Sequence, residues 1–151
     1  MDSHPRPATT ADAAALRPLL DQLGYALSEA EIAARIERVA AAGDHELLVV
    51  EEPDGALAAM LHVYGRAAVE KPPEAVVQAL VVRDGLRGRG LGRKLMALAE
   101  NWASSHGYGH VSLSSQVDRA AAHEFYRRLG YDRYATSYHF RKTISDSGTS
   151  A

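Results

Sequence analysis

A chain of 151 residues holds one domain's worth of material, and at 46% hydrophobic residues it can build a core without covalent staples. The absence of cysteine excludes disulfides, thiol nucleophiles and thiolate metal sites, and seven histidines without ligand spacing give no reason to expect a metal. No 18-residue apolar stretch and no charged-then-apolar leader is present, so a cytoplasmic protein with no membrane partner is expected. The net charge of -2 hides an asymmetry. Nine acids face two bases between Asp21 and Asp54, whereas eleven bases face five acids between Arg83 and Lys142. An acidic first half attracts cations and argues against a nucleic-acid partner.

In chain order, residues 1–6 read as a flexible end, followed by a short strand around Pro7 to Thr9. Leu16, Leu19, Leu20 and Leu23 recur at helical spacing up to Gly24, with Pro18 forcing a late start or a bend. Ser28 and Glu31 form a capping box before the apolar stripe Ile32, Ile36, Val39. Leu47 to Val50 and Ala56 to Val63 flank the turn residues Glu51 to Gly55, which predicts a hairpin. Val76 to Val82 is apolar on both faces and reads as a central strand. Leu91, Leu95, Leu98, Ala99 and Trp102 mark a helix, and Val111 to Ser114 its parallel return strand. Asp118 is placed to cap a last helix carrying Ala122, Phe125, Tyr126 and Leu129, closed by Gly130. Tyr131 to Tyr134 and Thr136 to Ile144 read as two final antiparallel strands, and residues 145–151 as a polar flexible tail.

The stretch Arg87-Gly88-Arg89-Gly90-Leu91-Gly92 falls where the central strand hands over to the helix. Glycines leave the backbone bare there, and the unpaired N–H groups of the first helical turn make a cradle for an anion, with Arg83, Arg87, Arg89, Arg93 and Lys94 close in sequence. A P-loop would need Ser or Thr after Gly-Lys, but Arg93-Lys94-Leu95 follows. A dinucleotide fingerprint would need a different glycine spacing and an acid on the next strand, and the return strand has none.

Arg87, Gly90 and Gly92 resemble the pyrophosphate loop of the GCN5-related N-acetyltransferase (GNAT) family. Ala122, Phe125, Tyr126, Gly130 and Tyr131 resemble its second signature, and the likeness runs over residues 7–144. The resemblance implies a single α/β (mixed α+β) domain of the acyl-CoA N-acyltransferase fold, with a twisted mixed sheet of six or seven strands and helices on both faces. It implies acetyl-CoA as co-substrate, its pyrophosphate on Arg87, Gly88, Arg89, Gly90, Leu91, Gly92 and Arg93. The pantetheine would lie along Leu80, Val81 and Val82, in a V-shaped opening between that strand and the return strand. Many relatives carry an asparagine near the end of the return strand; none stands here, so Ser115, Gln116 or the backbone would replace it. Tyr126 would be the general acid for the departing thiolate. The family's usual glutamate position on the central strand is Gln78, which cannot take a proton, so Glu74, Glu70, Glu46, His62 and His139 stay open as bases. The expected acceptor is a primary amine of a small molecule, held toward Tyr25 to Glu31 and the hairpin, and the expected assembly a possible homodimer through the late strands. Acetylation of a protein or peptide amine and a non-catalytic acyl-CoA sensor are the alternatives.

Overall fold

The computed structural model describes residues 4–145, and the two ends beyond them lie outside the described residues. The elements are β1 (Pro5–Pro7), a 3-10 turn (Thr10–Asp12), α1 (Ala13–Gln22), α2 (Glu29–Ala41), β2 (His45–Glu51), β3 (Leu57–Arg66), β4 (Glu74–Val82), α3 (Leu91–Ser105), β5 (Val111–Ser112) and α4 (Ala120–Arg128). Residues up to Leu113 form one compact unit, and those from Ser114 a second.

In the first unit five strands make one sheet in the order β1-β2-β3-β4-β5, antiparallel except for the β4–β5 pair. Period-two alternation divides its residues between two layers. Val49, Met60 and Val81 stand on one face, where they meet Ala13, Leu16 and Leu19 of α1 and Ile32 and Ile36 of α2. The alternate residues, among them Leu61 and Val63, are buried without entering that cluster, and α3, with buried Leu95, Met96, Ala99 and Trp102, packs on β3 and β4. Helices therefore cover both faces, as expected.

The N-terminal strand starts earlier than the sequence pattern indicated. Arg6 holds it: the guanidinium donates to Asp12 at 2.8 Å and to Glu51 at 2.6 Å, and Asp12, only 7% exposed, also accepts the Thr9 N–H. A buried carboxylate needs such partners, and here they join β1, β2 and the 3-10 turn. α1 runs from Ala13 through Pro18 without starting late, while α2 opens on the anticipated capping box, Glu31 N–H to Ser28 Oγ and Ser28 N–H to Glu31 Oε1.

In the second unit, α4 begins after Arg119, not on an Asp118 cap, and no side chain caps it. It ends in a Schellman motif: Tyr131 N–H donates to Tyr126 C=O and Gly130 N–H to Arg127 C=O, which requires the positive φ of 95° at Gly130. The two final strands anticipated at Tyr131–Tyr134 and Thr136–Ile144 are not formed among the described residues, so the sheet has five strands rather than six or seven. The polar/apolar alternation is there, but a strand exists only through a ladder, and no ladder includes these residues.

At the far end of the sheet Tyr108 crosses Gly65, its hydroxyl donating to the Asp44 carboxylate and its ring lying parallel to Trp102 with centroids 5.9 Å apart. A Cβ at residue 65 would collide with the Tyr108 phenol, whereas one at Gly43 meets nothing within 4 Å. Gly65→Ala should therefore cost about 1–3 kcal/mol in urea unfolding, with Gly43→Ala within about 0.5 kcal/mol of wild type. Equal stabilities for the two variants would contradict this packing.

Candidate active site

One residue in β4 shapes the site. His62 pairs with Ala79 and Val63 with Val77, so Gln78 is an extra residue and β4 carries a bulge there. Before the bulge, Ala75 turns its N–H to His110 C=O at 2.9 Å on the β5 side. Beyond it the alternation is displaced. Arg83 N–H donates to Ala58 C=O at 2.8 Å, and Ala59–Val82 and Leu61–Leu80 are then pairs whose backbone groups point away from β3. Leu80 and Val82 thus face the β5 side, while Val81 faces β3. The β4–β5 ladder covers only Ala75–Val111 and Val76–Ser112. From Val77 onward β4 pairs with no strand on that side among the described residues, so the backbone donors and acceptors of Leu80 and Val82 form a rim without a ladder partner.

The rim leads into the glycine loop. The positive φ values of Gly88 (86°) and Gly90 (78°) turn the chain, and Gly90 is the N-cap of α3 with no side chain capping it. The first bond inside the helix is Lys94 N–H to Gly90 C=O at 3.0 Å, so the N–H groups of Leu91, Gly92 and Arg93 have no intrahelical acceptor. A Cβ placed on Gly88 or Gly90 meets nothing within 4 Å, so the space beside the loop is open to a ligand. Outward N–H groups, a positive helix end and open space suit a pyrophosphate.

The arginines of this region are not all aimed at the cradle. Arg83 and Arg89 both face Glu52 of the β2–β3 hairpin, at 4.0 and 3.3 Å, and Arg87 pairs with Asp84 at 3.2 Å. The charge expected at the turn is therefore partly balanced within the protein. A further side chain escaped the sequence reading. Gln22, at the end of α1, donates from Nε2 to Val82 C=O and accepts the Asp84 N–H at Oε1, both at 2.8 Å. Glutamine follows no pattern that marks such a role in sequence.

The remaining candidates separate by environment. Tyr126 lies in the second unit, half-buried, edge-on to Phe125 and Tyr131 at ring-centroid distances of 5.1 and 6.1 Å. Burial pushes its phenol above the ordinary range, so it is a donor at neutral pH. Ser115 and Gln116 are exposed in the segment before α4, and Gln116 C=O accepts His123 Nε2 at 2.8 Å. Glu74 is bound to Arg66 across the ladder and to Lys71 at 3.5 Å, and despite burial the Arg66 and Ser112 bonds hold its carboxyl below the usual range, which makes it a poor base. Glu70 and His139 are exposed, and Glu46 is half-buried on β2.

His62 shares a face with His45 and Tyr64: His45 Nδ1 and His62 Nε2 are 2.9 Å apart, and the His45 and Tyr64 rings stack at 5.0 Å. Burial, with the nearby His45 adding to it, lowers the His62 pKa from 6.5 to about 4. The unfolded chain then binds the extra proton first, so this residue costs nothing above pH 6.5 and an increasing amount as pH falls toward 4. Stability from urea unfolding should decline between pH 7 and 5 and decline less in His62→Leu; parallel curves for the two proteins would contradict the assignment.

Comparison with known proteins identifies the family. The family model described as "Acetyltransferase (GNAT) family" matches residues 14–131. An uncharacterized N-acetyltransferase of Bacillus subtilis is 30% identical over 128 residues, covering 84% of this chain and 88% of the relative. Aminoglycoside N(6')-acetyltransferase type 1 of Stenotrophomonas maltophilia is 28% identical, with 94% of each chain covered. The crystal structure of an aminoglycoside 6'-N-acetyltransferase from Acinetobacter baumannii has the same fold, with a TM-score of 0.81 at 17% identity over 95% of this chain and 100% of the other. No helix among the described residues is long and apolar enough to cross a membrane. The chain belongs to the GNAT family and is an N-acetyltransferase with acetyl-CoA as its co-substrate.

Proposed function

We propose that this enzyme acetylates the primary amine of a small molecule by direct attack, with the β4 rim holding the pantetheine, residues 87–93 the pyrophosphate, and Tyr126 serving the departing sulfur. The observation that carries this reading is the row of outward backbone groups at Leu80 and Val82 running into the uncapped start of α3. Acetyl-CoA supplies the acetyl group as a thioester. The backbone of Leu80 to Val82 orients that chain and directs an N–H at the thioester oxygen, which gathers negative charge as the amine nitrogen bonds to the carbonyl carbon. As the carbon–sulfur bond breaks, the Tyr126 hydroxyl donates to the thiolate, and the ammonium proton leaves to water. The absence of cysteine agrees with direct transfer.

A small-molecule amine is favoured by the name of the Stenotrophomonas relative and by the acidic first half of the chain. Tyr25, 59% exposed beside the start of α2, offers an aromatic surface near Glu29, whereas Glu31 is committed to its capping box. A homodimer belongs to the same reading, with Tyr134, Tyr138, Phe140 and Ile144, each at least 76% exposed, as its contact face. The mass in solution tests it: a monomer removes the dimer and leaves the chemistry untouched.

Three measurements test the enzyme itself. Release of free thiol from acetyl-CoA should occur with cationic small amines in a panel, and transfer confined to hydroxyl compounds or to peptides would contradict the acceptor class. Gly90→Ala or Gly92→Asp should weaken CoA binding in calorimetry far more than Arg89→Ala, because the first strains a residue at φ 78°, the second brings a carboxylate to the proposed phosphate site, and the third removes a charge already facing Glu52. Tyr126→Phe keeps the packing with Phe125 and Tyr131 while removing the donor, so the turnover number should fall roughly 10- to 1000-fold at nearly constant CoA affinity and unfolding midpoint. Unchanged turnover would move the acid role elsewhere.

A further inference from the structure

The two bonds of Gln22 have a specific shape. One residue of a parallel strand bonds the C=O and the N–H of two residues that are two apart on its neighbour, and the Gln22 amide does this with Val82 C=O and Asp84 N–H. Both groups belong to the same outward side of β4 as Leu80, the side that β5 leaves after Val76. The side chain therefore stands in for one residue of the strand that is missing there. Below this rung the rim still offers the N–H and C=O of Leu80 and the N–H of Val82. Above it the chain turns through Arg83 to Leu86, closed by Leu86 N–H to Arg83 C=O at 3.0 Å, and enters the glycine loop.

We propose that Gln22 is a positioning residue for acetyl-CoA: by filling the last rung of the β4 rim it fixes the point at which the pantetheine leaves the edge and the phosphates begin. This rests on the reading that the pantetheine pairs with β4. A ligand with two amides in its arm can pair with an open edge at more than one register, and each slip by a rung moves the thioester by about 7 Å, two strand residues. With Val82 C=O and Asp84 N–H already bonded, the register one rung toward the glycine loop is closed, and β5 occupies the edge at the other end up to Val76. The same two bonds hold the exit of β4 rigid before ligand arrives, which lowers the ordering cost of binding. Gln22 touches neither the reacting atoms nor the glycine loop in this scheme; it acts through β4.

Calorimetry with two probes tests this: CoA, and adenosine 3',5'-bisphosphate, which lacks the pantetheine. Wild type should bind CoA more tightly than the bisphosphate; equal affinities would withdraw the pairing of pantetheine with β4, and Gln22's role with it. Gln22→Met keeps the length of the side chain and loses both bonds. It should weaken CoA about five- to twentyfold while the bisphosphate stays within about twofold. Equal losses for both probes would make Gln22 a support of the loop alone, and an unchanged CoA affinity would make it irrelevant; either overturns the proposal while leaving the wild-type comparison intact. Gln22→Glu retains the acceptor for Asp84 N–H and loses the donor to Val82 C=O, so it should also weaken CoA selectively, and it decides the matter if Gln22→Met does not fold. CoA binding like wild type in Gln22→Glu would overturn the rung.

Discussion

The site depends on a single inserted residue. Had β4 paired with β3 without Gln78, the backbone alternation would have run unbroken from Ala75 to Val82, and Leu80 and Val82 would have presented their N–H and C=O groups to β3. The bulge reverses that assignment halfway along the strand. The first part of β4 serves β5, and the last part serves an open side that no strand occupies among the described residues. An open edge is a liability, because its unpaired N–H and C=O groups are a template for pairing with another chain. Gln22 relieves part of it by taking the groups at Val82 and Asp84, and leaves those of Leu80 on the rim.

Electrostatics then work over short distances. Arg83 and Arg89 are bound to a hairpin acid, and Arg87 to its neighbour Asp84, so the glycine loop is not a bare cluster of positive charge. What it offers instead is the oriented N–H groups at the start of α3, whose partial charge does not depend on an exposed side chain. Glu52 also ties the hairpin turn to the loop, and the two arginines are thereby held in place. Tyr126 is placed differently: the Schellman closure at Gly130 folds Tyr131 back onto it, and burial raises its phenol above the ordinary range.

The features legible in sequence were those with a periodic or stereochemical signature. The stripe of α3, the capping box of α2, the hairpin turn after β2 and the glycines of the loop each follow from a local rule, and each is present. The bulge was invisible because an extra residue in an apolar run looks like any other member of it; only the register with β3 exposes Gln78. Gln22, Glu52 and His45 escaped because their partners lie 60, 31 or 37, and 17 residues away, beyond any local spacing. The two late strands were over-read for the converse reason. Alternation between Tyr134 and Ile144 satisfies the pattern for a strand, but pairing is a property of two segments, and one segment's pattern cannot supply it.

Amide hydrogen exchange resolved at single residues on β4 tests the central claim most directly. Val81, bonded toward β3, should exchange slowly with or without ligand, whereas Leu80 and Val82 should exchange rapidly in the free protein and become protected when CoA is added. Protection of Leu80 and Val82 already present without ligand, or exchange at both that CoA leaves unchanged, would contradict an edge held open for the co-substrate.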